Sequence, residues 1–263
     1  VLRKRIDKFG VTQPNIQKLG ESGRILVELP GAKDVDRIKK LLQSTAQLEF
    51  WETYKIEEVG QYLMAVEEAL KKTEVAVKAA PTKTTGIDSL LTDKADTTAA
   101  AGTSPFLGKM LAPGQQGAPH VGTFATKDTA AINGYLKRAD IKALLPANLT
   151  NIRFAWGKTN EKNPDITDLY ALKGTRDNVA PLSGGVIVDA KDTFDQMGKP
   201  AVSMQMNGNG SRKWEQITGA VSQQGNAIAI VLDNIVYSAP GVSKGAITGG
   251  QSEISGNFTI EET

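Results

Sequence analysis

Residues 227–238 read AIAIVLDNIVYS and contain the longest apolar strand of the chain. From Ala227 to Leu232 the strand is apolar on both faces, which is typical of a strand in the middle of a sheet. Asp233-Asn234 predicts a tight turn into a second strand, Ile235 to Ser238, because both residues accept the backbone angles of a two-residue hairpin turn. We therefore expect this hairpin to place its first strand at the centre of a sheet.

The first 55 residues also have a regular α+β pattern. A helix is predicted at the start of the chain, and two strands follow, Asn15 to Leu19 and Arg24 to Leu29. Asp34 is a plausible N-cap for a second helix. A third strand is predicted at 46–51, where apolar residues alternate.

The middle of the chain has a different composition. A helix with an apolar stripe from Tyr62 to Leu70 leads into 75–125, which is rich in Ala, Thr, Gly, Pro and Lys. Such a stretch buries little apolar surface, so it is expected to be largely irregular or mobile. A helix after Ile132 and two alternating strands, 152–156 and 169–172, end this middle region.

A regular α+β pattern returns after about Asn178. A strand is predicted from Ala201 to Met206, followed by a turn at Gly208-Asn209-Gly210 and a helix. The order regular, irregular, regular predicts a discontinuous α+β protein. Its base domain is formed by residues 1–55 and 176–263, and residues 56–175 form an inserted, partly irregular α+β head.

Composition excludes several classes of protein. The 263 residues carry a net charge of +2, one histidine and no cysteine. The lack of cysteine rules out a zinc ribbon, a disulfide scaffold and a cysteine nucleophile, and interspersed charge gives no footprint for nucleic acid. No apolar stretch approaches the ~20 residues of a membrane span. Because the chain starts without methionine inside a helical pattern, we expect it to be a segment of a longer protein.

Three loops carry residue types that occur in functional sites. His120 has no second histidine or cysteine with which to hold a metal, so an exposed loop histidine is the better interpretation. Gly208-Asn209-Gly210 could cradle an anion, but Lys213 occupies the third glycine position of the dinucleotide motif. Ser183-Gly184-Gly185 lacks the Gly-x-Ser-x-Gly elbow of a serine hydrolase.

The remaining candidates also favour structural roles. The pairs Asp34 with Asp36 and Asp93 with Asp96 are explained by helix capping and solvation. Met204 and Met206 share a strand face, where core packing is preferred over an adaptable peptide-binding surface. The sequence therefore predicts no catalytic residue, no metal and no cofactor.

Several longer motifs occur at the two ends of the chain. They are RIDKFGVTQPNIQ at 5–17, ILVELPG at 25–31, TAQLEF at 45–50, AIAIVLD at 227–233, YSAP at 237–240, ITGG at 247–250 and ISGNFT at 254–259. In this order they resemble the first large periplasmic domain of the SecD/SecDF family, with Gln13 and Asn234 in place of a glutamate and a glycine. The motif residues expected to shape the fold are Gly10, Pro14, Leu29, Pro30, Gly31, Leu48, Phe50, Asp233, Pro240, Gly249, Gly250, Ile254 and Gly256.

The resemblance implies a fold and a function. It implies a ferredoxin-like base carrying a head that swings, with a hinge at Tyr54, Lys55, Ile56, Gly174 and Thr175. It implies a location on the periplasmic face of the bacterial inner membrane, attached through flanking helices that this chain lacks. The implied partners are unfolded secreted polypeptide, the SecYEG channel and SecF or a fused SecF half. The family uses the proton-motive force to help pull polypeptides out of that channel.

Two other functions stay open at this point. One is a passive periplasmic scaffold, and the other is an envelope hydrolase with an unrecognised site. Acidic residues converging in a deep pocket would favour the hydrolase, whereas a shallow apolar groove on a mobile insert would favour the translocation factor.

Overall fold

The computed structural model describes residues 15–19, 24–28, 30, 47–79, 104–159 and 163–255. They form a mixed α+β fold, which confirms the predicted class. The chain divides into two compact units, 1–47 and 48–263. The elements of the second unit are β3 (Leu48–Thr53), α1 (Ile56–Ala79), β4 (Met110–Pro113), β5 (Gly122–Ala125), α2 (Thr129–Lys137), α3 (Ala139–Lys142), β6 (Ile152–Gly157), β7 (Ile166–Lys173), β8 (Leu182–Ser183), β9 (Ile187–Phe194), β10 (Pro200–Met206), α4 (Gly208–Gln224), β11 (Ile228–Leu232), β12 (Ile235–Ser238) and β13 (Gln251–Ser255).

The described part of the first unit is a β-hairpin. Its strands, β1 (Asn15–Leu19) and β2 (Arg24–Glu28), are antiparallel, with Asn15 opposite Glu28. Both strands agree with the sequence prediction. Ile25, Val27 and Leu29 alternate in the sequence, which predicts the buried face of an inner strand. Val27 is half-buried instead, because β2 pairs only with β1 among the described residues. The predicted helices at the start of the chain and after Asp34 lie outside the described residues.

The second unit is organised around a ring of five strands. β3 is antiparallel to β11, and β11 is antiparallel to β12. β12 then pairs in parallel with β6, and β6 is antiparallel to β7. β7 returns to β3 through two residue pairs and closes the ring. In a small closed ring of strands the inward-facing side chains fill the interior as a packed core.

Each strand of the ring contributes to one cluster of buried side chains. The largest is Trp51 of β3, which is fully buried. Small residues on neighbouring strands leave room for its indole. The cluster consists of Trp51, Ala155, Leu172, Ala229, Val231 and Val236. Alternate residues of the same strands pack outside the ring, as the period of two in a strand requires.

One outer face of the ring is covered by α1. Its buried residues recur at intervals of three and four, which confirms the apolar stripe predicted from the sequence. They pack with Leu169 and Ala171 of β7 and with Phe154 and Trp156 of β6. The buried stripe of α1 consists of Val59, Tyr62, Leu63, Val66 and Leu70.

The prediction of a largely irregular stretch at 75–125 is wrong for its described residues. α1 continues to Ala79, and β4 pairs with β5. Phe106, Val121 and Phe124 are fully buried. These three large side chains supply the core contacts that the average composition of the segment conceals. Residues 80–103 lie outside the described part of the chain.

A second group of elements covers the opposite face of β3 and β11. The antiparallel sheet β13-β10-β9 packs with α4 through Met204, Met206, Trp214 and Ile254, so the two methionines are core residues as predicted. Phe50 joins this cluster, with its ring 5.2 Å from that of Trp214. β9 was not predicted, because most of its residues are exposed, the apolar Val188 and Phe194 among them.

The glycine segment before α4 differs from its prediction. Gly208-Asn209-Gly210 is the first turn of α4 and not a separate turn. The side chain of Asn207 caps the helix by accepting the Gly210 N–H at 2.8 Å. A Cβ atom on Gly210 would lie 2.6 Å from Cβ of Val186, so glycine allows the helix to begin against that residue.

The hairpin at 227–238 has the predicted form. β11 lies between β3 and β12, and Asp233 and Asn234 form the turn. Their φ angles are 50° and 69°, both in the left-handed region that such turns require. Asparagine is one of the few residues that tolerate this region, which allows Asn234 to stand where the resemblance leads us to expect glycine.

The ring contains strands from both predicted domains. β3, β11 and β12 belong to the predicted base, whereas β6 and β7 belong to the predicted head. They are hydrogen-bonded to each other through the β3–β7 and β6–β12 pairs. One hydrogen-bonded sheet therefore includes strands from both sides of the predicted boundaries at 55/56 and 175/176. The division into base and head at these positions stays a prediction.

Candidate functional site

An open cleft of about 620 Å³ lies between α2, α3 and β6. Loop residues 175–178, which follow β7, complete its wall. Two of its aromatic side chains, Tyr62 and Phe154, are stacked with ring centres 6.4 Å apart. The cleft thus joins side chains from three separate stretches of the chain. Its apolar lining consists of Tyr62, Leu136, Leu145, Ile152 and Phe154.

The polar lining is dominated by amide and hydroxyl groups. Asn133 uses its Oδ1 to accept the Trp156 indole N–H at 3.0 Å, which leaves its NH₂ group as a donor. Amides and hydroxyls of this kind bind polypeptide or carboxylate groups without strict requirements on sequence. The uncharged polar lining consists of Asn133, Thr150, Asn151, Thr175 and Asn178.

Among the residues that the structure describes, four cations line the same cleft, and no aspartate or glutamate does. Lys137 and Lys142 end α2 and α3, where a positive charge stabilises the helix dipole. Arg176 is exposed in the loop after β7. The fourth cation, Arg153, is half-buried on β6.

Arg153 is held in a fixed position. Its guanidinium lies 4.7 Å from the centre of the Trp51 ring, as in a cation–π contact. Its Nη1 is 3.6 Å from Oε2 of Glu49, and its Nη2 donates to the side chain of Asn234. Arg153 therefore couples the cleft to the interior of the ring and to the β11–β12 turn.

The one titratable hydroxyl in the cleft is unsuited to proton transfer near neutral pH. Burial raises the pKa of Tyr62 to about 12. Its hydroxyl donates to the carbonyl of Ile141 at 3.5 Å. A neutral phenol among amides and cations can bind a ligand, but it offers neither a base nor a nucleophile at physiological pH.

His120 lies on the loop between β4 and β5. It is half-buried rather than exposed, because its ring packs edge-on against Tyr170 at 6.1 Å. Among the residues that the structure describes, no three His, Asp or Glu side chains are grouped to hold a metal. The structure therefore gives His120 a packing contact.

The other sequence candidates are not brought together. Ser183 pairs with Glu49 between β8 and β3, and a Cβ atom on Gly184 would lie 2.8 Å from Cβ of Leu48. Close packing against β3 thus explains the glycine. The aspartate pairs, Asp34 with Asp36 and Asp93 with Asp96, lie outside the described residues.

Comparison with known proteins finds the same relatives at both ends of the chain. The family model for the protein translocase subunit SecDF, P1 domain, N-terminal, matches residues 1–55, and the model for the SecDF P1 head subdomain matches 169–263. The protein translocase subunit SecD of Rhodothermus marinus is 37% identical over 279 aligned positions, which include 100% of this chain. The chain belongs to the SecD/SecDF family.

Other SecD and SecDF proteins are also similar to this chain. SecD of Magnetococcus marinus is 29% identical over 100% of this chain, and SecDF of Thermus thermophilus is 44% identical over 31% of it. The chain spans 41% and 33% of the length of the SecD proteins from R. marinus and M. marinus. The crystal structure of SecDF in the super-membrane-facing form aligns with 99% of this chain and 23% of that one, at 26% identity and a TM-score of 0.48.

The SecDF head model covers a different stretch from the head predicted by sequence. It matches 169–263, whereas the sequence assigns the head to 56–175 and the second part of the base to 176–263. The five-stranded ring contains strands from 56–175 and from 176–263. Its strand pairing therefore does not show which of these two stretches is the head. Which residues move as a head stays a prediction.

The described SecD/SecDF motif residues occupy turns and the core beside α4. Phe50 and Ile254 are buried in one cluster, and Leu48 is half-buried against it. The carbonyl of Gly250 accepts the Met206 N–H at 2.8 Å, and that of Pro240 accepts the Ile228 N–H at 3.0 Å. Asp233, Gly249 and Gly250 have positive φ, and Pro30 is an exposed turn residue. The motif residues outside the described part are Gly10, Pro14, Leu29, Gly31 and Gly256.

The predicted hinge residues lie at the junction of β3, α1 and β7. The N–H of Tyr54 donates to the carbonyl of Ala171 at 2.7 Å, and Nζ of Lys55 donates to the carbonyl of Gln224 at 2.7 Å. The N–H of Gly174 donates to the carbonyl of Asn151 at 3.1 Å. Ile56 and Thr175 are half-buried. Rotation here would break these hydrogen bonds, so the hinge role stays a prediction.

The cleft itself was not found from the sequence. Its lining comes from residues 62, 133–154 and 175–178, which no local periodicity links. The signal in the sequence that could have indicated the cleft is the pair of lysines at the ends of two consecutive short helices.

The described helices include none long and apolar enough to span a bilayer.

Proposed function

We propose that this chain is the part of a SecD or SecDF subunit that contacts secreted polypeptide on the periplasmic face of the inner membrane. The observation that carries the proposal is the match to SecD of R. marinus over the whole chain. In the full-length protein this part would act beside the SecYEG channel and SecF and help to pull polypeptide outwards. The proton-motive force would be transmitted from membrane helices, and the part itself would not be an enzyme.

The cleft between α2, α3 and β6 supports a polypeptide-contact role. Clients of different sequence must be held by adaptable apolar contacts and by hydrogen bonds to their backbone. The cleft offers stacked Tyr62 and Phe154 beside three asparagine amides. It is open, and its described lining has no carboxylate pair of the kind by which a glycoside hydrolase acts.

Pulling by this part would require movement between regions of the chain, which the sequence predicts to be 56–175 against the base. Such movement must separate β6 from β12, since these strands belong to the two regions. Lys158 and Tyr237 lie at the open end of this pairing and are exposed. The N–H of Lys158 donates to the carbonyl of Val236 at 2.8 Å, and its Nζ is 5.4 Å from the centre of the Tyr237 ring.

A disulfide between these positions would hold the two strands together. The variant Lys158→Cys/Tyr237→Cys in the full-length protein is expected to export a reporter slowly when oxidised and normally when reduced, and each single-cysteine variant serves as a control. The absence of cysteine from this chain prevents competing disulfides within it. Equal export by oxidised and reduced protein would refute movement at this pairing and favour a passive scaffold.

A further inference from the structure

The charge of the cleft points to the kind of polypeptide segment that it binds. Lys137, Lys142 and Arg176 form no ion pair with any described residue. Asp140, a carboxylate on α3, is bound to Arg138 at 2.6 Å. The cleft therefore presents three cations that are not neutralised by the described part of the protein.

These cations act together on a ligand in the cleft. The Debye length at physiological ionic strength is about 8 Å, so a ligand group within that distance of several cations experiences their summed potential. Low-dielectric walls concentrate such a field. The walls here include Phe154, Ile152 and Leu145.

The uncharged groups of the cleft favour an acceptor ligand as well. Because Oδ1 of Asn133 accepts the Trp156 indole N–H, its remaining polar group is a donor. Exposed lysines at helix ends also stabilise the helix dipole, but this effect does not account for Arg176, which lies in a loop. Donors and cations around an apolar surface match a ligand that carries both carboxylates and apolar side chains.

We propose that the cleft preferentially binds extended polypeptide segments in which aspartate or glutamate alternates with apolar residues. This inference rests on the proposed function, since it specifies which segments of a secreted polypeptide are held. Apolar side chains would pack on Phe154 and Leu145, and the acidic side chains would pair with Lys137, Lys142 and Arg176.

The test uses two labelled peptides of equal length with the same apolar residues, one with Asp and Glu and the other with Asn and Gln. Binding to the 263-residue chain is measured by fluorescence anisotropy. The cleft variant Lys137→Gln/Lys142→Gln/Arg176→Gln is compared with Lys213→Gln/Lys244→Gln/Arg212→Gln, whose exposed cations lie outside the cleft. Both variants lose two lysines and one arginine.

The acidic peptide is expected to bind the unaltered chain and the control more tightly than the neutral peptide. The cleft variant is expected to lose about tenfold in affinity for the acidic peptide, as a few exposed ion pairs provide, and to bind the neutral peptide as before. Equal binding of both peptides overturns the charge preference but leaves the proposed function intact. If neither peptide binds to the chain, the inference is overturned as well.

A third probe separates a lipid headgroup from a peptide. Vesicles containing phosphatidylglycerol are expected to bind the cleft variant and its control alike. If the cleft cations were required for vesicle binding while the peptides showed no charge preference, the cleft would be assigned to anionic lipid and the inference would be wrong.

Discussion

Glu67 of α1 is expected to stabilise the fold by anchoring the segment that begins at Ser104. The residue is 3% exposed, and one carboxylate oxygen accepts the N–H groups of Phe106 and Leu107 at 2.9 Å each. The other oxygen is 3.3 Å from Nζ of Lys71. These contacts join α1 to the fully buried Phe106 across 39 residues of sequence.

The magnitude follows from the two backbone donors. Glu67→Ala leaves both without their acceptor, and a buried unsatisfied donor costs about 1–3 kcal/mol. We expect the free energy of unfolding to fall by about 3 kcal/mol. Glu67→Gln keeps an acceptor but loses its charge, and charge-assisted bonds are roughly twice as strong as neutral ones, so we expect a loss of about 1.5 kcal/mol.

Urea unfolding at neutral pH measures both losses. The three tryptophans, at 51, 156 and 214, all lie in the unit 48–263, so their fluorescence reports on that unit. Glu68 is the matched control, because it is the next residue of α1 and is exposed. If Glu67→Ala cost no more than Glu68→Ala, which is expected to stay within about 0.5 kcal/mol, the anchoring role would be refuted.

The same carboxylate gives a pH dependence with a defined sign. Burial opposes its ionisation, but the backbone hydrogen bonds from Leu107 and Phe106, with the neighbouring Lys71 and Ser104 side chains, hold the pKa of Glu67 below its ordinary value of 4.5. The unfolded chain therefore binds this proton at higher pH than the folded chain. The stability difference between the unaltered chain and Glu67→Gln should be complete above pH 4.5 and shrink as pH falls through the lowered pKa.

Three further substitutions test the fold by the same unfolding measurement. Trp51→Ala empties the interior of the ring and should cost about 3–5 kcal/mol; a loss below that of an exposed substitution would show that the ring interior is not a packed core. Asn207→Ala removes the cap of α4 and should cost about 1 kcal/mol, and an unchanged midpoint would contradict the capping role. Asn234→Ala should cost about 2 kcal/mol, because alanine disfavours the left-handed φ of 69° and the acceptor of the Arg153 hydrogen bond is lost, and an unchanged midpoint would contradict this turn geometry.

The parts of the fold that could be predicted are those with a local signal. The β11–β12 hairpin was predicted because Asp233 and Asn234 have a turn-specific conformational preference, and α1 because its apolar residues recur at helical spacing. β9 was missed since its residues are mostly exposed. The fold of 104–125 was missed since few residues, chiefly Phe106, Val121 and Phe124, carry its core contacts.

Closure of the ring and the cleft could not be predicted from local patterns. The ring depends on pairing between residues far apart in sequence, such as Glu52 with Lys173, and nothing local to either strand specifies that partner. The cleft depends on the same long-range arrangement, since it brings Tyr62, Lys142 and Arg176 together. The motifs at the two ends of the chain identified the family, but they gave no indication of the cleft.

Photocrosslinking tests contact with a secreted polypeptide most directly. A photoreactive phenylalanine analogue is placed at Leu145 in the cleft of the full-length protein, and a matched one at Lys213 on α4, outside it. We expect a secretory polypeptide stalled during export to crosslink at Leu145 and not at Lys213. Equal crosslinking at both positions, or none at Leu145 while export proceeds, would contradict the proposal that this cleft holds the polypeptide.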